Sequence, residues 1–413
     1  MKSGYSHMKC GLLGEKLGHS FSPMIHENLA DYSYELIELE EGQVGDFVRS
    51  GKLDAFNVTI PYKKTVMPFL DVISAEAQAI GAVNTVVRGA DGKLYGYNTD
   101  YFGFSHMLDI SGIQVKGKKA MVFGTGGASA TVCAVLRDRG VRELVIIAIE
   151  DNTPENLARH KDTEIIVNAT PVGMYPKNGA SPVDLSLFPS CQGVLDVIYN
   201  PSRTKLLLDA EGRGIPAVNG LPMLVAQAAK AFEFFTGDKA ENGICERITK
   251  KIENDTKNII LIGMPGCGKS TVGKLVAQRL GRKFFDADEV FEKTYEVSPA
   301  EVIRAEGEET FRQMEHRIAE ELGKLSGNVF ACGGGVVTRD MNYNALHQNG
   351  TVIFLERALD KLATKGRPLS QKNGVEALYN ARIDAYIRFS DLRIKSTEIP
   401  HKTAELIIQA LGI

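Results

Sequence analysis

Two glycine-rich turns, each directly after a short apolar run, are the sequence feature that most limits the folds open to this chain. The run 119–123 leads into Gly-Thr-Gly-Gly-Ala-Ser, which begins at Gly124, and the run 258–262 leads into Gly-Met-Pro-Gly-Cys-Gly-Lys-Ser, which begins at Gly263. A strand, a glycine turn and a helix open a βαβ unit, so both turns predict parallel α/β sheets. Their wide separation in a chain of 413 residues predicts two different domains.

The composition is that of an ordinary globular protein, and it argues against several classes of partner. Hydrophobic residues make up 44% of the chain, and the net charge of −3 gives no reason to expect a nucleic-acid or membrane partner. Its apolar runs are strand-sized, and its first residues lack the pattern of a secretory signal. Because the six cysteines are scattered without paired spacing, we expect a reducing, cytoplasmic location. The sequence leaves the oligomeric state open.

The second turn matches the phosphate-binding pattern G-x-x-x-x-G-K-[ST]. Its glycines let successive backbone N–H groups point at phosphate oxygens, and the helix that follows adds a favourable N-terminus. Lys269 can reach the terminal phosphates, and the Ser270 hydroxyl can bind magnesium. The predicted nucleotide-binding residues are Gly263, Gly266, Cys267, Gly268, Lys269, Ser270 and Thr271.

Residues that can select a phosphate acceptor follow this turn. Asp286 and Asp288 come after a second short apolar run, two positions apart, and are therefore expected on one side of the chain. One carboxylate can support magnesium and the other can accept a hydrogen bond from a substrate hydroxyl, although two solvated turn acids would give the same pattern. Arginine forks and a glycine run suited to a carboxylate ligand come next, namely Arg312, Gly333, Gly334, Gly335, Arg367 and Arg382.

Taken in order, these motifs closely resemble those of shikimate kinases over residues 257–413. The resemblance implies that Asp288 contacts the acceptor hydroxyls and that Arg312 and Arg382 hold the substrate carboxylate. It further implies that Gly333 to Gly335 line the shikimate site, that Arg367 belongs to a lid over the phosphates, and that Ser270 and Asp286 support Mg²⁺. A kinase for another small metabolite, such as a nucleoside monophosphate, is the alternative that this set of residues disfavours.

The first turn is a weaker signal by itself, because Ser129 stands where a dinucleotide-binding turn has its third glycine. A plain tight turn is the competing interpretation. Other segments favour chemistry: two serines lie in the turn 18–23, and Lys63 and Asp100 can form a proton-transfer pair. The predicted cofactor-binding residues of this turn are Gly124, Gly126, Gly127 and Ala128.

Together these segments closely resemble shikimate dehydrogenases over residues 9–235. The resemblance implies that Lys63 and Asp100 are the catalytic pair. The substrate-site residues that it implies are Ser20, Ser22, Thr59, Asn84, Tyr199 and Gln227. The presence of both serines favours shikimate over quinate.

The cofactor of this half is either NADP(H) or NAD(H). Most relatives use NADP and carry an arginine after the strand at 144–148, whereas this chain has Glu150 and Asp151. An acid at that point fits a free ribose 2′-hydroxyl better than a phosphate, so Glu150 is a candidate cofactor contact. The stretch 150–168 is also short, and we expect a strand or helix of the cofactor domain to be missing.

These inferences divide the chain into four predicted parts. Residues 9–105 and 220–240 are a substrate-binding domain, 106–219 a Rossmann-like cofactor domain, 241–256 a linker or terminal helix, and 257–413 a P-loop kinase domain. The predicted function is a bifunctional enzyme of aromatic amino-acid biosynthesis that uses NAD(P)H, ATP and Mg²⁺ on small-molecule substrates. The alternative is an active kinase joined to a catalytically impaired, shikimate-binding module.

Overall fold

The structure, a computed structural model, describes residues 3–18, 20–362 and 374–413. The chain separates into two compact units, one of residues 1–174 and 180–252 and the other of residues 175–179 and 253–413. This division is coarser than the predicted domains, whose borders inside the first unit stay predictions.

The first part of the first unit is a sheet with short helices. Its elements are β1 (Lys9–Gly14), α1 (Ser22–Leu29), β2 (Ser33–Glu38), α2 (Val44–Arg49), β3 (Ala55–Val58), β4 (Val72–Ile73), α3 (Ala75–Ile80), β5 (Thr85–Arg88), β6 (Leu94–Tyr97) and α4 (Asp100–Ser111). Within the described residues the sheet has six strands, in the order β2-β1-β3-β5-β6-β4. Because β5 is antiparallel to both β3 and β6, its first residue lies at the edge where those strands end. Residues 59, 84 and 98–100 therefore meet at one edge of the sheet.

The second part of this unit is a parallel sheet of the doubly wound kind. Its elements are β7 (Lys119–Phe123), α5 (Gly127–Asp138), β8 (Glu143–Ile147), α6 (Pro154–Ala158), β9 (Ile165–Asn168), β10 (Gly193–Asp196), α7 (Lys205–Gly212) and β11 (Ala217–Val218). The strand order is β11-β10-β9-β7-β8, with parallel neighbours. In such sheets ligands bind beyond the carboxyl ends of the strands, where the order reverses, and here that point lies between β7 and β9.

Two further helices complete the first unit: α8 (Leu221–Thr236) and α9 (Ile244–Thr256). Ile244, Ile248 and Ile252 of α9 are buried in one apolar cluster with residues of α1 and α8. Their spacing of four residues is that of a helix with one apolar face. The segment predicted as a linker thus adds core residues to the first unit.

Helices α4 and α8 touch through their backbones at Gly103. A Cβ atom on this glycine would lie 2.6 Å from the carbonyl oxygen of Met223, closer than real Cβ contacts allow. The absence of a side chain at position 103 therefore sets the distance between these two helices.

The second unit is built on a parallel sheet in the order β13-β14-β12-β15-β16, counted over the described residues. Its elements are β12 (Asn258–Ile262), α10 (Lys269–Leu280), β13 (Phe284–Asp286), α11 (Ala287–Tyr295), α12 (Pro299–Glu306), α13 (Glu308–Lys324), β14 (Val329–Ala331), α14 (Met341–His347), β15 (Gly350–Glu356), α15 (Val375–Asn380), α16 (Ile383–Phe389), β16 (Leu392–Lys395) and α17 (Pro400–Leu411). The central strand β12 is buried along its whole length, as expected for a parallel strand covered on both faces. The α/β fold class predicted from the two glycine turns is confirmed.

Helices that could cross a membrane were sought in the part of the chain that the structure describes. None there is both long enough and apolar enough.

Candidate active sites

Lys63 and Asp100 form a close ion pair in the first unit. Lys63 Nζ donates a hydrogen bond of 2.6 Å to Asp100 Oδ2, and the two side chains are only 17% and 4% exposed. Lys63 follows β3 and its carbonyl accepts a hydrogen bond from Val83 N, whereas Asp100 lies in the first turn of α4. The sheet edge thus brings the two predicted residues together, and the carboxylate orients the ammonium.

Asn84 lies at the same edge with its side-chain oxygen fully used. Its Oδ1 accepts hydrogen bonds from Thr99 N at 2.7 Å and from Thr85 Oγ1 at 3.0 Å. These bonds fix the orientation of the amide, which leaves its nitrogen as the group that can donate to a ligand. Thr59 follows β3 at this edge, and its N–H is bonded to Leu13 O at 2.9 Å.

Hydroxyl groups from α1 and from the segment after β10 lie near one another. Burial raises the pKa of Tyr199, and contacts with the backbone of Phe21 and the hydroxyl of Ser20 oppose that rise. The rings of Phe21 and Tyr199 pack with centroids 5.1 Å apart. The hydroxyl of Ser22 contacts Tyr34, a residue that the sequence analysis did not include. The Ser20 hydroxyl therefore lies beside Tyr199, and the Ser22 hydroxyl lies beside Tyr34 in the same unit.

Gln227 on α8 carries a buried oxygen, Oε1, for which the described residues supply no hydrogen-bond donor. An unsatisfied buried acceptor costs on the order of 1–3 kcal/mol. Such an atom is suited to accept a hydrogen bond from a ligand hydroxyl.

The first glycine turn is shaped to receive a dinucleotide. Gly124 has φ of 111°, and a Cβ atom there would lie 2.8 Å from Ala169 O, so only glycine fits. Ser129 Oγ donates to Gly124 O at 2.6 Å, which shows how serine is accommodated in place of the third glycine. Gly126 has open space beside it, and α5 begins at Gly127 with its N-terminus free to meet a pyrophosphate.

This turn lies beside the ion pair. A Cβ atom on Gly127 would be 3.9 Å from Lys63 Cδ. The start of α5 and the Lys63 side chain are therefore neighbours in the first unit. Ala128 continues the first turn of α5.

Glu150 is exposed just beyond the end of β8, at the edge of the cofactor sheet. Only the five-residue helix α6, which starts at the capping residue Thr153, connects β8 to β9. This short connection agrees with the small number of residues in the stretch 150–168. Contact between Glu150 and the ribose of the cofactor stays a prediction.

The second glycine turn forms a phosphate-binding loop between β12 and α10. Gly263, Gly266 and Gly268 have φ of 144°, 84° and 101°, values that favour glycine. Lys269 Nζ lies across this loop and donates to the carbonyl oxygens of Gly263 and Met264 at 2.9 and 3.1 Å. The loop, the lysine and the N-terminus of α10 together suit a nucleotide triphosphate. Cys267 is buried within the loop, and Thr271 lies in the first turn of α10.

Ser270 and Asp286 face each other, as a magnesium site requires. Ser270 Oγ donates to Asp286 Oδ2 at 2.5 Å. No cluster of three or more His, Cys, Asp or Glu able to hold a metal occurs among the described residues. A hydroxyl and a carboxylate supply the oxygen ligands that Mg²⁺ takes, usually one or two from the protein together with substrate phosphates and water, so the pair suits this ion.

Asp286 and Asp288 were expected on one side of the chain because alternate residues of a strand share a side. That reason is wrong, because only Asp286 belongs to the strand. Asp286 ends β13 and caps α11, with Oδ1 accepting from Asp288 N at 3.1 Å, so Asp288 already lies in the helix. Although Asp288 keeps an exposed surface, its carboxyl is crowded by protein, and this desolvation raises its pKa, with Asp286 adding to the effect. The helix cap, rather than strand alternation, keeps the two acids close at the start of α11.

Arg312 lies flat against Gly335. A Cβ atom on this glycine would lie 2.1–2.2 Å from the guanidinium of Arg312, so any larger residue would displace it. The guanidinium is held from both sides, with Nη1 donating to Glu315 at 2.7 Å and Nη2 donating to Glu308 at 2.8 Å. The close contact explains why a glycine stands at position 335.

Glu315 is a site residue that the sequence analysis missed. It is 6% exposed, and burial raises its pKa although Arg312 opposes the rise. Its Oε1 has no partner among the described residues and lies 2.5 Å from where a Cβ atom of Gly333 would be, while Asp288 Oδ1 lies 3.4 Å from that point. The spacing of Arg312 and Glu315 on α13, three residues apart, was the signal that could have found it.

Arg382 and Tyr386 hold the remaining glycine of the run. Arg382 Nη1 donates to Gly334 O at 3.0 Å, and Tyr386 Oη donates to the same oxygen. The structure therefore brings Asp288, Arg312, Arg382 and the three glycines to one place. Arg367, predicted as a lid residue, lies outside the described residues.

Family models match both units of the chain. The model described as "Shikimate dehydrogenase substrate binding domain" matches residues 12–86, and "Shikimate 5'-dehydrogenase C-terminal domain" matches residues 220–241. The model described as "Shikimate kinase" matches residues 265–412.

Shikimate dehydrogenases match the first unit over nearly their whole length. A shikimate dehydrogenase (NADP(+)) from Clostridium beijerinckii is 38% identical over 268 residues, covering 60% of this chain and 98% of the relative. The solved structure of shikimate dehydrogenase 1 from Peptoclostridium difficile is 36% identical with a TM-score of 0.54, covering 59% of this chain and 97% of that one.

One of the similar solved structures is a dehydrogenase fused to another enzyme. A chorismate mutase/shikimate 5-dehydrogenase fusion protein from Clostridium acetobutylicum is 35% identical with a TM-score of 0.56, covering 60% of this chain and 97% of that one. The shikimate 5-dehydrogenase from Listeria monocytogenes in complex with shikimate and NAD is 31% identical with a TM-score of 0.52, covering 59% and 96%. The chain belongs to the shikimate dehydrogenase family, and it carries a shikimate kinase domain fused after the dehydrogenase.

Proposed function

We propose that this chain catalyses two consecutive reactions of aromatic amino-acid biosynthesis. The first unit reduces 3-dehydroshikimate to shikimate with NADPH or NADH, and the second unit phosphorylates the 3-hydroxyl of shikimate with ATP and Mg²⁺. The observation that carries the proposal is the buried Lys63–Asp100 pair beside the dinucleotide turn, in the same chain as a complete phosphate-binding loop.

In the first reaction the residues of the chain place the substrate and supply a proton. The reduced nicotinamide supplies the hydride to the carbonyl carbon. Lys63 gives the proton at Nζ to the carbonyl oxygen as that oxygen becomes an alcohol, and Asp100 keeps the ammonium aimed at it. Ser20, Ser22 and Tyr199 offer hydroxyls to the substrate carboxylate and ring, while Gln227 Oε1 accepts from a hydroxyl.

In the second reaction the chain places two anionic substrates, ATP and shikimate, next to each other. ATP with Mg²⁺ supplies the phosphoryl group. Lys269 and the loop N–H groups hold the phosphates, and Ser270 and Asp286 support the metal. Asp288, whose pKa is raised, accepts the hydrogen bond of the acceptor hydroxyl, while Arg312 and Arg382 bind the shikimate carboxylate.

The alternative of a catalytically impaired dehydrogenase module is not favoured. Lys63 and Asp100 form a close ion pair, and the first glycine turn has open space at Gly126. A module that only bound shikimate would have no use for a pair of this geometry next to a cofactor turn.

The test is a set of two assays on one preparation of the full chain. Shikimate oxidation is followed by nicotinamide absorbance, with NADP and NAD in parallel, and shikimate phosphorylation is followed by ADP release. Turnover in both assays supports the proposal. Phosphorylation without oxidation on either cofactor would contradict the first half, and oxidation without phosphorylation would contradict the second.

A further inference from the structure

We infer that Asp196 is a positioning residue of the dehydrogenase reaction, which ties the loop after β9 to the loop after β10. This inference rests on the proposed function of the first unit. Asp196 is the last residue of β10 and is completely buried.

The Asp196 carboxyl accepts three hydrogen bonds: one from β9, one from its own loop two residues further on, and one from the N-cap of α7. Oδ1 accepts from Asn168 Nδ2 at 3.0 Å and from Ile198 N at 3.0 Å, and Oδ2 accepts from Thr204 Oγ1 at 2.7 Å. A carboxylate is the side chain that can accept from this many donors without needing to donate in return. The bonds from Asn168 and Ile198 connect Asp196 with loops beside the proposed active site. The bond from Thr204 connects it with the start of α7.

The bond to Asn168 leads to the cofactor side. Asn168 Oδ1 in turn accepts from Thr170 N at 3.0 Å and from Thr170 Oγ1 at 2.7 Å, which shapes the loop after β9. This loop lies against the dinucleotide turn, since a Cβ atom on Gly124 would be 2.8 Å from Ala169 O and 3.1 Å from Thr170. A shift of Asn168 would therefore move the wall of the cofactor site.

The bond to Ile198 leads to the substrate side. Ile198 O accepts from Gly220 N at 2.9 Å, at the start of the helix that carries Gln227, and Tyr199 is the next residue in the chain. Gly220 is packed directly on Val197, because a Cβ atom there would lie 2.0 Å from Val197 O. Asp196 thus connects the elements that place Tyr199 and Gln227 with the loop beside the cofactor turn.

The hydrogen bond from Thr204 joins Asp196 to a helix cap rather than to a proposed site residue. Thr204 is the N-cap of α7 and accepts from Leu207 N at 3.4 Å. Helix α7 packs on the far side of the sheet with the apolar cluster of Leu206, Leu207 and Ala210. Thr204 also lies near the loop after β9, since a Cβ atom on Gly173 would be 3.7 Å from Thr204 Cβ. Valine keeps this β-branched shape and loses only the hydroxyl, so Thr204→Val supplies a matched control.

The burial of Asp196 also argues for a specific role. A carboxyl taken fully out of water is costly to keep, and burial raises the pKa of Asp196 to about 7 although all three hydrogen bonds oppose the rise. Asp196 is buried at the carboxyl end of a doubly wound sheet, which is the edge that faces the ligands in such folds. Hydride transfer is sensitive to displacements of about 1 Å, so a group that fixes both walls of the site has a direct effect on rate.

The test compares three variants of the full chain in shikimate oxidation. Asp196→Ser removes the links to both loops, Asp196→Asn keeps one oxygen for Asn168 and Ile198 while its amide nitrogen donates to Thr204, and Thr204→Val removes only the structural bond. We expect Asp196→Ser to lower kcat on the order of 10- to 100-fold with a smaller change in KM. Asp196→Asn should restore kcat to within about threefold of wild type, and Thr204→Val should stay in that range despite a lower melting temperature.

Equal losses of kcat in Asp196→Ser and Thr204→Val would overturn the proposal, because Asp196 would then act only through stability. If Asp196→Ser does not fold, Asn168→Ser decides the question by cutting the cofactor branch alone, and an unchanged kcat would overturn it. Failure of the proposed function is a separate result, seen as no turnover by the wild-type protein. Calorimetric titration with shikimate then decides: the proposal requires weaker binding by Asp196→Ser than by Thr204→Val, and equal binding rejects it.

Discussion

Lys63 and Asp100, 37 positions apart in the chain, meet through a 2.6 Å hydrogen bond in a place where both side chains are largely buried. The pair forms because the strand before Lys63 and the strand before Asp100 end at the same edge of one sheet. Among the described residues Asp100 is the carboxylate that orients this lysine, and the first glycine turn lies beside it.

Replacing this lysine should stop hydride transfer and leave phosphorylation intact. We expect Lys63→Ala to lower kcat for shikimate oxidation by about 10²- to 10⁴-fold, the usual contribution of a proton donor. Lys64→Ala removes an exposed lysine next in the chain and serves as the control. Loss of kinase rate in Lys63→Ala, or equal losses in both variants, would contradict the assignment.

Replacing the loop lysine should have the opposite result. Lys269→Ala removes the cation that lies across the phosphate loop, and we expect phosphorylation to fall by about 10²- to 10³-fold, as when one charge-stabilising donor is lost. Shikimate oxidation should be unchanged. Lys274→Ala is the control on the same helix, since Lys274 is exposed and its contacts are a surface ion pair with Glu289 at 3.8 Å and a position over the ring of Phe284, 5.6 Å from its centroid.

The acid at the end of β8 should influence the choice between the two nicotinamide cofactors. Glu150→Ala removes a negative charge from the position where a 2′-phosphate would come near, so the ratio of kcat/KM for NADP to that for NAD should rise, by about tenfold if roughly 1.4 kcal/mol of repulsion is relieved. Glu155→Ala, an exposed acid in α6, should leave the ratio unchanged. A ratio that moves in neither variant would show that Glu150 does not meet the cofactor.

The two glutamates on Arg312 should differ in their effect on stability. Glu315→Ala leaves a buried guanidinium without its buried partner and should lower the free energy of unfolding of the kinase unit by about 3–5 kcal/mol. Glu308→Ala removes a carboxylate whose side chain is 48% exposed and should cost about 1 kcal/mol or less. Denaturant unfolding of the two variants measures the difference, and similar losses would contradict the role given to burial.

Asp196 should make the first unit less stable as pH rises. Its folded pKa of about 7 lies above the ordinary value of 3.8, so the folded protein binds this proton more tightly than the unfolded chain. The stabilisation from that proton is complete below about pH 4 and is lost as pH rises to about 7. Relative to Asp196→Asn, the free energy of unfolding of wild type should fall by about 1 kcal/mol per pH unit between pH 5 and 7. A constant difference across this range would contradict the raised pKa.

The sequence predicts best where local chemistry decides the structure. The phosphate loop and the helix that begins at Lys269 follow from glycine spacing alone, because only glycine adopts the positive φ values found there. The turn at Gly124 was weaker as a pattern, since the bond from Ser129 to Gly124 O cannot be read from the sequence. Pairing of Lys63 with Asp100 was suggested by their side-chain chemistry, and the resemblance to a family implied their catalytic role; their separation in the chain indicated neither.

The sequence predicts poorly where tertiary packing decides. Ile244, Ile248 and Ile252 have helical spacing, but the many charges around them favoured a linker, and only the neighbouring helices reveal that this face is core. Glu315 has the spacing of an ordinary surface pair with Arg312, and its burial depends on the glycines that pack against it. Asp196 lay within a recognised segment, yet its bond from Asn168 joins residues 28 positions apart and forms only in the folded sheet.

Gly103 has a consequence for attempts to redesign this enzyme. Helices α4 and α8 carry Asp100 and Gln227, and they are in backbone contact because position 103 has no side chain. The spacing of the helix backbones that carry these two residues is therefore fixed by main-chain atoms. An engineer seeking room for a bulkier substrate should shorten side chains around the proposed substrate site, since a larger residue at 103 would push the helices apart and also shift Asp100, the proposed partner of the proton donor.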